Sequence, residues 1–348
     1  MDLTRAALVI GFGSIGRRHA RALARRVERL AIVDREEAAR SRAKAEHPAA
    51  RVASSLDELA RGDWIWASTL AVIATWGPSH AELFERLVGL GVRRVVCEKP
   101  LADSVRRGAD IVALARSLNV AVAVNHVGRY MGRAEGIEAL VRAHGLGPVE
   151  LFVAHGGAAG LVTNGIHFID FACQLFKAEP QRVISTARAD AVNPRSPLLR
   201  FYGGSATWTF PGGREAVLAF SNRSSLYPKV HLYHRHSVTE VDVAASTVTI
   251  YERDPDEVKS LSAITRTGRP GRVVYSGPIP GALTQIDEAL PRLYDDILSR
   301  GGVVSPPEAG LTALSACIGA LAAGESGTPV PLPIDPDSEL GRRQWPIS

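Results

Sequence analysis

Two residues in this chain stand where a side chain could do acid–base work. Lys99 sits between Glu98 and Pro100, directly after the strand-like run Arg94-Val95-Val96-Cys97-Glu98. Lysine is seldom buried unless paired, and a following proline biases it toward extended backbone. The ammonium is therefore expected at the carboxyl end of a buried strand. There it could bond a hydroxyl or stabilise developing alkoxide charge; a surface lysine in a turn is the plainer reading. The other residue is His167, in Thr163-Asn164-Gly165-Ile166-His167-Phe168-Ile169-Asp170, which opens a helix. Asn164, or less favourably Thr163, is expected to cap that helix. The positive helix end disfavours an imidazolium, and a neutral imidazole can accept a proton. Asp170 shares its face, three residues on, and could orient the ring. A capping-region histidine with Asp170 in a structural pair fits the same spacing.

A third constellation says what such groups would work beside. Gly11-Phe12-Gly13-Ser14-Ile15-Gly16 is a G-x-G-x-x-G run that follows the apolar stretch Ala7-Leu8-Val9-Ile10 and opens a helical pattern. In that context the first glycine makes a tight turn, the second lets backbone approach a pyrophosphate, and the third allows close helix–strand packing. Free N–H groups at the helix start face the phosphates. Asp34 ends the next strand, where an acid bonds ribose hydroxyls and repels a 2′-phosphate, favouring NAD. Arg35 beside it leaves NADP possible. Thr75 and Trp76 end the fourth strand, and His80 begins the helix after it, either as a cofactor contact or as a simple first-turn residue. Glu98, Lys99 and Asn125, at later strand ends, complete the expected cofactor set, and Tyr130 is a reserve candidate for proton transfer.

The elements that must position these groups follow from the hydrophobic pattern. Six short apolar runs, from Ala7-Ile10 to Val120-Val124, alternate with helical segments. Strands apolar on both sides read as parallel and covered on both faces. The first part is thus a doubly wound Rossmann sheet with ligand at the carboxyl ends of its strands. After Asn125 the rhythm changes: Gly165 to Phe176 reads as a helix, and Gln181 to Tyr251 becomes strand-rich with turn signals. A Gly-, Arg- and Pro-rich loop is expected over 266–281, then two helices, then an irregular Pro-rich tail. The fold class is α/β, with residues 1–126 as the Rossmann domain and 127–348 as an α/β domain built on a mostly antiparallel open sheet.

Composition narrows the rest. The chain has 348 residues, 46% hydrophobic and 22% charged, enough for two cored domains. Its net charge of +5 is carried mainly by arginines scattered among acids, so a nucleic-acid partner is not expected. Cys97, Cys173 and Cys317 are far apart, with no metal or disulfide spacing, which suits a reducing cytoplasm. No leader is read at the N-terminus, and no stretch is expected to approach membrane-spanning length. His231, His234 and His236 alternate on a strand-like stretch and are read as exposed or pocket-lining rather than as metal ligands.

Taken in order, Gly11 to His19 (G-x-G-x-x-G-x-x-His), Ala74 to His80 (Ala-Thr-x-x-x-x-His), Glu98-Lys99-Pro100 and Gly165 to Asp170 (Gly-x-His-x-x-Asp) resemble the glucose–fructose oxidoreductase / inositol dehydrogenase (Gfo/Idh/MocA) family. The motifs cover roughly the first half of the chain. The resemblance implies NAD(P), hydride transfer at a sugar or cyclitol carbon, and a homodimer or homotetramer built through the second sheet. By carry-over Lys99 matches the active-site lysine and His167 the catalytic histidine. Many members carry an aspartate two residues before the motif glycine; here Thr163 stands there and cannot act as a carboxylate. That departure suits a divergent member acting on nucleotide or antibiotic sugars. Two other functions share these motifs: a non-enzymatic NAD(H)-binding sensor or partner-binding protein, and a non-redox enzyme that uses transient oxidation by NAD.

Overall fold

The computed structural model describes residues 5–157, 159–190, 198–254, 258, 271–299 and 302–347. The chain forms two compact units. The first takes residues up to Tyr130, then Gln285–Leu314 and the residues from Asp335 on; the second takes Met131–Thr284 and Ser315–Ile334. A single division at 126/127 therefore does not describe the chain. Helical periodicity reports which face of a segment is buried, but not which core buries it, so the two returning segments were unreadable from pattern alone.

In the first unit, β1 (Ala6–Ile10), α1 (Ser14–Leu23), β2 (Arg29–Val33), α2 (Glu37–Glu46), β3 (Arg51–Ala53), α3 (Leu56–Ala60), β4 (Thr69–Ile73), α4 (His80–Gly89), β5 (Arg94–Cys97), α5 (Val105–Ser117) and β6 (Ala121–Val124) alternate as expected. The six strands form one parallel sheet in the order β3-β2-β1-β4-β5-β6. Every residue of β1 and β4 is buried, as strands covered on both faces must be. The order reverses at β1, so the carboxyl ends of β1 and β4 flank the topological switch point where ligands bind in such sheets. After β6 come α6 (Val127–Tyr130) and, in the second unit, α7 (Arg133–His144).

The second unit carries a mixed sheet. Its strands are β7 (Leu151–Gly156), β8 (Arg182–Ser185), β9 (Arg188–Ala189), β10 (Tyr202–Thr209), β11 (Glu215–Phe220), β12 (Lys229–Tyr233), β13 (Ser237–Asp242), β14 (Thr247–Glu252), β15 (Arg272–Pro278) and β16 (Val330–Pro331). They run β15-β14-β13-β12-β7-β11-β10-β8-β16, with β9 on β10, and only the β7–β11 pair is parallel among the described residues. Alternation sorts the side chains: Phe152, Trp208, Leu218, Leu232 and Ile250 are buried, while Val153, His155, His231 and Tyr233 face the other way. Helix α8 (Gly165–Phe176) packs on β11 from the buried side. Trp208 lies fully buried with its indole N–H donating to Ala316 O at 3.1 Å.

Three expectations need correcting. The segment expected as a loop over 266–281 contains β15, which pairs with β14; residues 266–270 lie outside the described residues. Short, exposed edge strands have too little apolar alternation to be read from sequence. The Pro-rich tail is ordered: β16 pairs with β8, and α11 (Glu339–Arg342) is capped by the Ser338 hydroxyl, which accepts from Gly341 N. Finally, of the two later helices α9 (Ile286–Leu298) and α10 (Pro307–Ser326), α10 is by length and composition apolar enough to cross a membrane. Two-thirds of its apolar window is buried within the protein, with Leu314, Cys317, Ile318 and Leu321 no more than 1% exposed, which is the pattern of a core helix.

Candidate active site

The glycine turn between β1 and α1 is built by steric necessity. Gly11 has φ +91°, and a Cβ there would lie 2.7 Å from Ala74 O. A Cβ on Gly16 would lie 1.9 Å from Gly11 O, so helix and turn touch backbone to backbone. Gly13 is different: it is exposed, and a Cβ would meet nothing within 4 Å. It serves as the N-cap of α1 without a side-chain cap bond, so the first-turn N–H groups around Ser14 and Ile15 are available to an anion. Phe12 contributes no side chain to this edge, being fully buried; its N–H donates to Asp34 Oδ2 at 2.7 Å. Asp34 Oδ1 accepts from Glu36 N at 2.8 Å. Each oxygen keeps a second lone pair, so a half-buried carboxylate held by backbone still has room for ribose hydroxyls. Arg35 is exposed and lies 3.4 Å from Glu36, while Arg40 donates to the carbonyls of Asp34 and Arg35. An open glycine cradle at a bare helix N-terminus, with a carboxylate one strand away, fits an adenine dinucleotide.

At the end of β4, Thr75 Oγ1 accepts from Ser79 and the Trp76 ring is exposed. His80 is not a cofactor contact. It is fully buried, with Nε2 3.0 Å from Thr75 O and Nδ1 2.9 Å from Pro100 O, and Cys97 Sγ 3.4 Å from Nδ1. Burial pushes its imidazole below the usual range, against the pull of these carbonyls and Glu98. It ties the end of β4 to the Glu98-Lys99-Pro100 turn and so positions Lys99, which is half-buried.

Glu98 and Asn125 end β5 and β6. Glu98 Oε1 accepts from Asn125 Nδ2 at 2.6 Å and lies 2.9 Å from His19 Nε2, whose Nδ1 is 2.6 Å from the Tyr294 hydroxyl of α9. Burial alone would raise the Glu98 carboxyl; the bond and charge of His19, the Asn125 amide and the Lys99 charge outweigh it and hold it below its ordinary value near 4.5. The sign follows: this carboxylate contributes stability that is complete above about pH 4.5 and is lost as pH falls through the lower folded value. Glu98→Gln should therefore flatten the acid limb of a plot of Tm against pH between about 2 and 5, and an unchanged limb would place the acid sensitivity elsewhere. Sequence reasoning gave no role to His19 or Tyr294. The first was visible as the last residue of the glycine motif; the second had no signal, because it is 275 residues away.

Tyr130 leaves the list of proton-transfer candidates. It is buried and its hydroxyl donates to Asp296 Oδ2 at 2.9 Å. Burial and Asp296 push it far above the usual phenol range. Arg129 donates to Val304 O.

In the second unit, Gly165 does not begin a helix from bare loop. A π-helical turn over Gly160–Asn164 runs straight into α8. Asn164 makes no side-chain cap bond; its amide donates to Ala159 O at 2.9 Å. The expected cap is thus replaced by one more turn, which moves His167 away from the bare positive end. His167 is half-buried, Thr163 and Asp170 are buried, and Asp170 Oδ2 accepts from Gln174 at 2.9 Å. His234 is neither exposed nor pocket-lining: it is buried, with Nδ1 on the carbonyls of Gly147 and Pro148 and Nε2 near Thr239 Oγ1. His231 instead stacks on His155, with centroids 5.2 Å apart.

Residues 5–126 match the family model described as an oxidoreductase family with an NAD-binding Rossmann fold, GFO_IDH_MocA. The N-terminal domain belongs to the Gfo/Idh/MocA family. Its cofactor is NAD, by the family's description and by the fit of the cradle. No curated protein matches the chain. Solved structures similar to the chain include a UDP-N-acetylglucosamine 3-dehydrogenase from Acidithiobacillus ferrooxidans, with TM-score 0.71 and 21% identity over 92% of this chain and 98% of that one. An oxidoreductase from Agrobacterium radiobacter, crystallised with NAD+, L-tartaric acid and magnesium, gives 0.73 and 15% over 94% and 98%. An NAD binding oxidoreductase from Klebsiella pneumoniae gives 0.72 and 17% over 95% and 100%. At these identities the likeness is one of fold, and it extends across both units of the chain.

Proposed function

We propose that the protein is an NAD(P)-dependent oxidoreductase moving a hydride between nicotinamide and the hydroxyl or keto carbon of a sugar, nucleotide sugar or cyclitol. The observation that carries this reading is the open Gly13 cradle beside Asp34 in the same sheet that presents half-buried Lys99 at the end of β5. When bound, NAD supplies the hydride acceptor or donor. Lys99 Nζ donates to the reacting oxygen and offsets the charge that develops on it. His167 takes the hydroxyl proton on a ring nitrogen during oxidation and returns it during reduction. Asp170 holds the orientation of the α8 turn that carries the ring, and Thr163 shapes the turn before it. Asp34 selects NAD over NADP by repelling a 2′-phosphate. The fold likeness to a UDP-N-acetylglucosamine 3-dehydrogenase supports placing nucleotide sugars among the substrates.

The test is absorbance at 340 nm across polyols, free sugars and nucleotide sugars with NAD+ and NADP+ in parallel, and across the corresponding keto compounds with the reduced cofactors. A substrate-dependent signal, larger with NAD(H), is expected. A flat response in both directions from protein that binds NADH would overturn the reading.

A further inference from the structure

The bonded series Tyr294–His19–Glu98–Asn125 reaches from α9 through α1 to the ends of β5 and β6, and all four residues are at least 95% buried. We propose that His19 and Tyr294 are positioning residues for the nicotinamide half of the cofactor site, acting through Glu98 on the Asn125 amide. The proposal rests on the NAD-binding reading above.

The argument is one of direction. The dinucleotide crosses the carboxyl edge at the switch point, one half on each side. Gly11, Gly13, Gly16 and Asp34 serve the β1–β2 half, which leaves the ends of β5 and β6 to the other. A carboxylate only accepts hydrogen bonds. Glu98 Oε1 therefore requires a proton on His19 Nε2 and requires Asn125 to turn its amino group inward. The other ring nitrogen, Nδ1, pairs with the Tyr294 hydroxyl at 2.6 Å, which fixes the ring in place. Tyr294 keeps its proton, because burial and the Glu98 charge push it well above the usual range. The amide orientation of Asn125 is thereby set, and its Oδ1 is buried with no hydrogen-bond partner among the described residues. That oxygen is left as an acceptor for an N–H or O–H donor. Solvent cannot relax the arrangement, since none of the four groups is open to it.

A network that merely staples α9 to the sheet would support the whole domain alike. A positioning network acts on one half of the cofactor. The two are separated by comparing NADH with ADP, which fills only the adenosine and phosphate half, in titrations of the wild-type chain, His19→Leu, His19→Gln and Tyr294→Phe. His19→Leu should weaken NADH about tenfold while ADP changes less than about twofold. His19→Gln should stay within about threefold of wild type for NADH, because its amide can donate to Glu98 in place of Nε2. Tyr294→Phe preserves the packing and should weaken NADH alone by about threefold; it carries the test if His19→Leu does not fold. Equal losses for ADP and NADH, no loss for either, or glutamine no better than leucine would overturn the positioning role. Wild-type protein that binds neither ligand would instead remove the cofactor reading, and the proposal with it.

Discussion

Lys99→Met and His167→Ala should each lower kcat by about 10²–10⁴-fold while NADH affinity changes by less than about threefold. The reason lies in where the two groups stand. Lys99 follows β5 and is fixed by its neighbours: Glu98 is bound by His19 and Asn125, and the Pro100 carbonyl is held by His80. Methionine keeps the apolar stem and removes only the cation, so the turn survives while the donor to the reacting oxygen does not. In the proposed reading the glycine cradle and Asp34 hold the dinucleotide without it. His167 is carried by α8, whose buried face of Ile166, Phe168, Ile169 and Ala172 does not depend on the imidazole. Stopped-flow turnover and NADH fluorescence titrations on the same preparations check both. Affinity falling in parallel with kcat would mean that these residues hold cofactor rather than serve the chemistry.

The two glycines of the turn should fail in opposite ways. Gly16→Ala forces a methyl into the space of Gly11 O, only 1.9 Å from the ideal Cβ, where backbone must move. It should cost about 3 kcal/mol or more, at about 2–4 °C of Tm per kcal/mol for a domain of this size. Gly13→Ala meets nothing within 4 Å. It should leave the Tm of the ligand-free protein within about 1 °C, yet weaken NADH about tenfold or more, because the methyl occupies the approach of the pyrophosphate. The rise in Tm that NADH gives the wild-type protein should shrink accordingly for Gly13→Ala. A drop in the ligand-free Tm of Gly13→Ala comparable to that of Gly16→Ala would show that the open space belongs to the fold and not to a ligand.

Much of this was legible in the residues. The Rossmann half could be read because its strands are uniformly apolar runs, its helices keep a 3.6-residue period, and its glycine spacing is a steric requirement of one turn. Those are local constraints, written within a few neighbouring residues. Asp34 was legible for the same reason, as the charged end of an apolar run. What pattern could not supply was partnership at long separation. His80 had the same sequence signature whether it faced a ligand or two carbonyls, and only the approach of Pro100 decided it. Tyr130 was a candidate acid until Asp296, 166 residues on, claimed its hydroxyl. The capping role assigned to Asn164 dissolved because a π turn, which has no propensity signal of its own, extended the helix. The relay from Tyr294 to Asn125 was invisible, although each of its ends lies on a well-marked helix or strand. The sequence by itself determined which segments form the Rossmann strands and where the tight glycine turn falls, because burial and backbone strain act locally. The tertiary structure alone decided which polar groups are committed and which remain available, because a hydrogen bond needs a partner brought by the fold from elsewhere in the chain.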